Sequence, residues 1–268
     1  MTNIVTVHFS YVTPTYARSG SANATFTALQ NIINGVTCNV MQHGVDRAAK
    51  LRIDSQIGLN EFFSNRNGAD ELVSQKRNEG GFIHVVQTIA ATEGLRDTFN
   101  TDMIMTKCVR QEADPDRGRE EKMIVSGYVF DFRNALLPVD FIIYDPIGMD
   151  HVEGFEVSER NPAFCCVNGH QINKTVTTVQ KAEASGWGES FAQEVTTSQR
   201  EFVITGVKGP FDWDDESTIT AQEYKEALQA RELVVAEIKQ RQEEYQLSRA
   251  QTQTQFANST ESASGFNF

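Results

Sequence analysis

Aromatic side chains recur at every second position near the end of the segment EEKMIVSGYVFDF, which covers residues 120–132. In a β-strand side chains alternate between two faces, so Tyr128, Phe130 and Phe132 would share one face. Nucleobases stack on aromatic rows of this kind, and each stack contributes about 1–3 kcal/mol. The other interpretation is that the rings fill the interior of a small barrel. We treat the three residues as candidate base-stacking residues.

Basic residues surround this aromatic segment and could contact the phosphates of a nucleic-acid strand. They are Lys107, Arg110, Arg119, Lys122 and Arg133. Lys50 and Arg52 form a second basic cluster within residues 1–60, a stretch that holds four basic and two acidic residues. Acidic neighbours weaken the first group, and an ordinary solvated hairpin would show the same pattern. We predict nucleic-acid contacts at both groups.

Two further aromatic features lie in polar surroundings. Trp187 stands between two glycines in the segment 183–190, which is typical of a mobile loop. A tryptophan there is hard to bury, so ligand contact and a structural role are equally open. The chain ends in Gly-Phe-Asn-Phe, and Phe266 and Phe268 would suit a hydrophobic pocket of a replication or recombination protein.

Motifs of catalysis are absent from the sequence. It contains no GxxxxGK[ST], no GxGxxG, no HExxH and no GxSxG. The five histidines are scattered, and the four cysteines include no CxxC pair that would indicate zinc. The acidic run that starts at Asp212 lacks the ligand spacing of a calcium loop. We therefore expect a binding protein rather than an enzyme, with no catalytic residue, metal ion or cofactor.

Composition and charge are those of a globular protein with a restricted range of partners. Hydrophobic residues make up 40% of the 268 residues, and the net charge of −12 opposes indiscriminate binding to polyanions. The acidity is concentrated in the C-terminal third, so a basic surface can exist upstream. No apolar run approaches the roughly 18 residues of a membrane helix, and the first residues resemble a strand rather than a signal peptide. We expect no membrane partner and a cytoplasmic location, which is the host cytoplasm if a phage encodes the chain.

Alternating and β-branched residues predict a β-rich N-terminal region over residues 1–80. Its predicted strands cover 4–9, 25–33, 36–41 and 50–63, and Asn34-Gly35 would form the hairpin turn between the second and the third. A second Asn-Gly pair, at 67–68, would open a polar loop that leads to a strand at 81–91.

The middle of the chain predicts a barrel over residues 81–210. Strands are expected at 99–110, 121–132 and 136–144, then a short helix or crossover within 146–160, then strands at 163–172 and 174–181 or later, with a further strand at 200–206. Three strands, a helix and two strands is the order of the five-stranded OB barrel. The fold class is thus mainly β, an OB-like Greek-key barrel with an added N-terminal β-layer and a long C-terminal helix.

The C-terminal helix is expected over residues 217–250. Thr220 with Glu223 three residues later forms a capping box, and neither glycine nor proline interrupts the run that follows. An apolar stripe, which includes Tyr224 and Tyr245, predicts packing on a partner surface or in a coiled coil, and hence a homo-oligomer. Residues 251–268 have too little apolar content to fold alone, so we expect a disordered tail.

The chain resembles a family of bacteriophage and mobile-element proteins that are predicted to bind single-stranded DNA. The resemblance covers roughly residues 80–250 and rests on three segments: EEKMIVSGYVFDFRNALLPVDFIIYDP, REFVITG and ITAQEYKEALQARE. It implies a phage-type protein that protects single strands in replication or recombination without catalysis. The Phe-terminated tail is similar in layout to those of bacterial and phage single-strand binders, although Glu261 is the one acidic residue in its last eighteen. The alternative is a structural or assembly protein of a virus particle, in which the long helix would mediate oligomerisation.

Overall fold

The computed structural model describes residues 3–10, 12–16, 18–64, 70–89, 96–114, 119–181, 192–213 and 219–261, with the backbone alone for 174–181, 192–198 and 250–261. The strands are β1 (Val7–His8), β2 (Lys50–Ser64), β3 (Glu71–Val86), β4 (Thr98–Gln111), β5 (Lys122–Phe130), β6 (Leu136–Ile143), β7 (Ala163–Lys181) and β8 (Ala192–Phe211). The α-helices are α1 (Ala24–Ile33), α2 (Val40–His43), α3 (Pro146–Glu153) and α4 (Ala221–Glu261).

Five strands close a barrel in the order β4-β5-β6-β8-β7, and α3 lies between the third and fourth of them along the chain. β6 and β8 pair in parallel, and β7 returns to β4 in antiparallel pairing. This is the OB-like arrangement that the order of elements predicts. The fold class is therefore confirmed: mainly β, with a five-stranded barrel, a second sheet and a long C-terminal helix.

The period-two pattern of β5 explains why this segment is a barrel strand. Buried positions alternate with partly exposed ones along it: Met123, Val125, Gly127 and Val129 face inward. A side chain at Gly127 is excluded, because a Cβ there would lie 2.0 Å from the carbonyl oxygen of Ile104 on β4. The register of β4 against β5 also shifts between Met105 and Lys107. The glycine and the bulge together let the two strands bend tightly around the core.

The fourth and fifth barrel strands differ in one respect from the prediction. No turn separates 163–172 from 174–181: β7 is continuous, and its later residues pair with β8 as far as Lys181 opposite Ala192. The fifth barrel strand is β8, which contains the segment 200–206. β7 and β8 therefore continue beyond the barrel as a long two-stranded hairpin, in the position of the loop between strands four and five of an OB barrel.

The N-terminal layer is less β-rich than the sequence predicts. Residues 25–33 belong to helix α1, whose N-cap is Asn23, whereas 36–39 have no regular structure and 40–41 begin α2. Asn34-Gly35 ends α1, and Gly35 has a φ of 74°, a conformation that suits a helix C-terminus as well as a hairpin. Only Val7–His8 of the predicted strand 4–9 pairs with another strand.

The second sheet has the strand order β1-β3-β2 and is dominated by the β2–β3 hairpin. The strand at 50–63 is confirmed as β2, whereas its partner β3 starts at Glu71, within the expected polar loop. Residue 80, the expected end of the N-terminal region, falls inside β3. The sheet contacts the barrel through Ile57, which packs against the barrel core.

Helix α4 begins where the capping box predicts. Thr220 Oγ1 accepts from the Glu223 backbone N–H at 3.2 Å, and Glu223 Oε2 accepts from the Thr220 N–H at 2.8 Å. The helix continues to Glu261, so the first part of the expected disordered tail, 251–261, is helical. In the part of the chain that the structure describes, no helix is long and apolar enough to cross a membrane.

Candidate nucleic-acid interface

The C-terminal helix covers the outward face of β5 at two of the three candidate aromatic residues. Tyr128 and Phe130 pack in a cluster with Tyr224 of α4, together with Ile104 and Leu136 from the neighbouring strands. Tyr224 is 9% exposed, and burial raises its pKa to about 12. Both Tyr128 and Phe130 remain partly exposed at the edge of this contact. They lie neither in the barrel interior nor on a free surface.

Trp213 explains how the chain turns from the barrel into α4. It follows β8, and its indole stacks on the ring of Tyr224 at a centroid distance of 5.6 Å and an angle of 28°. Its ring centroid also lies 6.2 Å from that of Phe164 on β7. The aromatic cluster therefore joins the end of the barrel to the start of the helix. Sequence reasoning missed the role of Trp213, although its position just before the capping box was a usable signal.

The turn between β5 and β6 presents the third aromatic residue. Phe132 is 71% exposed, and the guanidinium carbon of Arg133 lies 4.9 Å from the centroid of its ring. Asp131 accepts from the backbone N–H groups of Arg133 and Ala135, both at 2.8 Å, which holds the turn in one conformation. A free aromatic face beside a cation is suited to stacking on a base and contacting its phosphate.

Three of the candidate basic residues form ion pairs with carboxylates of the same chain, and the pairs of Arg110 and Lys122 join different elements. Arg110 donates to Glu121 at 2.7 Å and to Asp150 of α3 at 3.0 Å, and these hydrogen bonds raise its pKa. Lys122 donates to Glu201 at 3.0 Å. Since each cation already has an anionic partner, phosphate contact would require that pair to open.

Glu201 is the centre of a polar network beside Lys122. Burial favours its neutral form, but hydrogen bonds from Tyr144, Lys122 and Gln199 outweigh this and lower its pKa. Tyr144 donates to it at 2.6 Å, as does Gln199. The anion is thus stabilised by three donors, and Lys122 has a structural role at the barrel wall.

The remaining basic candidates are exposed and dispersed. Lys107 lies in the C-terminal half of β4, and Arg119 lies between β4 and β5. No described carboxylate forms an ion pair with either residue. Lys50 is exposed at the start of β2, and Arg52 forms an ion pair with Asp54 at 2.8 Å. The structure therefore brings together Phe132 and Arg133, but not the full basic stripe.

Three candidate residues lie outside the described part of the chain. They are Trp187, Phe266 and Phe268. Trp187 belongs to the segment between Lys181 and Ala192, which connects β7 with β8 along the chain. The role of the two terminal phenylalanines stays a prediction.

Comparison with known proteins gives one match. No curated protein and no solved structure matches the chain. A family model designated YorF matches residues 5–241, a span that includes both sheets and reaches into α4. The designation is of the type used for bacteriophage genes, which agrees with the phage and mobile-element character implied by the sequence resemblance. Because the match covers most of its length, the chain belongs to the YorF family.

Proposed function

We propose that this chain is a phage-type single-stranded-DNA-binding protein, which protects single strands during replication or recombination without catalysis. The observation that carries the proposal is the OB-like order of the barrel strands, combined with the long hairpin between its fourth and fifth strands. OB barrels bind oligonucleotides on the face of strands two and three and on the loops between strands one and two and four and five. In this chain those elements are β5, β6, the 112–121 loop and the β7–β8 hairpin.

The exposed groups at these elements have the required chemistry. Phe132 with Arg133 follows the end of β5, and Lys107 is exposed on the neighbouring strand β4, opposite Ser126. The start of α4, which carries the exposed Glu223 and Glu226, lies over the other part of the same face, where Tyr224 covers Tyr128. An acidic cover disfavours long duplexes, which carry a high density of phosphate charge, more than a single strand that can follow a narrow track.

The direct test is fluorescence anisotropy with a labelled oligo-dT of about thirty nucleotides, a length that spans more than one OB-type site. A duplex of equal length is the control, and each titration is repeated at two salt concentrations. We expect submicromolar binding to the single strand, weak binding to the duplex and a fall in affinity with salt. Absence of single-strand binding at low salt, also after removal of residues 251–268, would reject the proposal.

A second function, assembly of a virus particle, is favoured by one observation on the N-terminal layer. Large apolar residues are exposed between α1 and the 3₁₀ turn at Val45–Arg47, the most exposed being Met41 at 96%. Clustered exposed apolar residues are typical of a protein contact. The expected signature of this function is concentration-dependent self-association in sedimentation velocity that Met41→Asp abolishes. A monomer at all concentrations would argue against it.

A further inference from the structure

A cleft of about 300 Å³ lies between the N-terminal sheet and the base of the β7–β8 hairpin. One wall comes from β1 and β3, and the other comes from the residues at which β7 and β8 leave the barrel. Its polar lining includes His8, Lys76, Arg77, Asn78, Gln171 and Arg200. The cleft is thus bordered by basic and amide side chains in a chain whose net charge is −12.

Within the described ranges, Lys76 and Arg200 form no ion pair at close distance, although Asp140 and Glu201 act on Lys76 electrostatically. Arg77 forms an ion pair with Glu79, and Glu201, the acidic residue of the lining, is bound to Lys122. Lys76 donates to the backbone carbonyl of Asp140 and lies 5.4 Å from the ring centroid of Phe202. Within the described ranges, no carboxylate lies at ion-pair distance from Lys76 or from the exposed Arg200.

The walls of the cleft are held in place by amide hydrogen bonds. The side chains of Asn78 and Gln171 exchange two hydrogen bonds of 2.9 and 2.8 Å, and Asn78 is 7% exposed. Asn3 donates to the carbonyl of Gln171 at 2.9 Å and accepts from the N–H of Asn173 at 2.6 Å. Because these contacts join β3 and the N-terminal segment to β7, the backbone of the cleft walls is fixed before any ligand arrives, which reduces the entropic cost of binding.

We propose that this cleft binds phosphodiester groups of a single nucleic-acid strand, with Lys76 and Arg200 as the phosphate contacts. The inference rests on the proposed function and adds a site to it, outside the β5–β6 face. Two separated monovalent cations along an open cleft suit successive phosphates of a chain. The location of the cleft also favours nucleic-acid binding. Arg200 lies on β8 at the base of the β7–β8 hairpin, which corresponds to a nucleic-acid-binding loop of OB barrels.

The test compares two variants that remove one positive charge each. Arg200→Gln changes the cleft, and Arg160→Gln changes an exposed arginine in the turn after α3, outside the cleft. Both are titrated with labelled oligo-dT at several salt concentrations. We expect Arg200→Gln to lower the affinity about three- to tenfold at low salt and to reduce the slope of log affinity against log salt by about 0.7. Arg160→Gln is expected to match the unmodified chain.

The outcomes separate this inference from the proposed function. If the unmodified chain binds oligo-dT and the two variants share its affinity and salt slope, the cleft inference is wrong and the proposed function stands. If the unmodified chain does not bind, both are wrong. Lys76→Met keeps the packing of the aliphatic stem and tests the second cation. If Lys76→Met impairs folding, Arg200→Gln still tests the cleft, because Arg200 is exposed and its replacement leaves the packing intact.

Discussion

Tyr224 of α4 lies against Tyr128 of β5, with their ring centroids 6.3 Å apart and the rings inclined by 57°. The contact places the first turn of the long helix on the strand face that carries the aromatic row. It divides that row, because Phe130 packs in the same cluster whereas Phe132, two residues further, is 71% exposed. Under the proposed function, the accessible stacking position of this row is therefore Phe132, just after β5, as long as α4 stays in place.

Tyr224→Ala is expected to destabilise the protein by about 3–5 kcal/mol, as loss of a buried aromatic ring does. The ring is 9% exposed and contacts both Trp213 and Tyr128. Urea unfolding gives the free-energy change. The matched control is Tyr224→Phe, which keeps the ring and should change stability by less than about 1 kcal/mol. Equal losses in the two variants would show that the hydroxyl, and not ring packing, anchors the helix.

Phe132→Ala is expected to weaken oligo-dT binding by about 1–3 kcal/mol, the contribution of one base stack. The free energy of unfolding should hardly change, because the ring is 71% exposed. Ile147→Ala, which truncates an apolar residue on α3 that is also mostly exposed, is the control and should bind normally. Affinity is measured by anisotropy and folding by circular dichroism. Normal binding by Phe132→Ala would exclude stacking at this turn.

Glu61 of β2 and Arg231 of α4 form an ion pair that is largely shielded from solvent. The side chain of Glu61 is 8% exposed and that of Arg231 is 10% exposed. Nη1 of Arg231 donates to Oε2 of Glu61 at 2.7 Å, and Ser74 donates to Oε1 at 2.6 Å. Burial opposes ionisation of Glu61, but these hydrogen bonds outweigh it, so its pKa lies below the ordinary 4.5. Breaking a buried pair costs about 3–5 kcal/mol, so Glu61→Gln should destabilise the protein by that amount at pH 7.

The pH dependence of this loss follows from the lowered pKa of Glu61. A carboxyl whose folded pKa is lowered contributes its full stability above the unfolded pKa, near 4.5, and loses it as pH falls through the folded value. The stability difference between the unmodified chain and Glu61→Gln should therefore shrink when urea unfolding is carried from pH 7 to below the folded pKa. A difference that stays constant with pH would show that charge pairing is not what docks the helix.

Gly127→Ala is expected to destabilise the barrel by about 1–3 kcal/mol or more, the usual cost of overpacking. The added Cβ would lie 2.0 Å from the carbonyl oxygen of Ile104, which is backbone and cannot rotate away. Ser126→Ala, at the adjacent outward position, adds no atom and serves as the control. Thermal unfolding monitored by circular dichroism distinguishes them. Unchanged stability of Gly127→Ala would show that β4 and β5 can separate without cost.

Much of the barrel was predictable because the features that define its elements depend on residues close together in the sequence. Alternation of buried and exposed positions in β5, the proline at the start of α3 and the capping box at Thr220 each depend on neighbouring residues. The N-terminal layer was less predictable. The apolar residues of 25–33 fit a strand or a helix in a short window, and the cap from Asn23 decides in favour of the helix.

The sequence by itself determined the first three barrel strands and the short helix after them, the start of α4 and the types of residue on each strand face, since these follow from spacing along the chain. Only the tertiary structure decided which of those side chains are engaged by other parts of the chain and which are exposed to solvent. Arg110 and Lys122 face carboxylates from α3 and β8, and Tyr128 faces α4, whose first turn follows it by almost a hundred positions. Contacts between residues so far apart depend on how strands and helices pack. The spacing of residues within one segment therefore does not predict them.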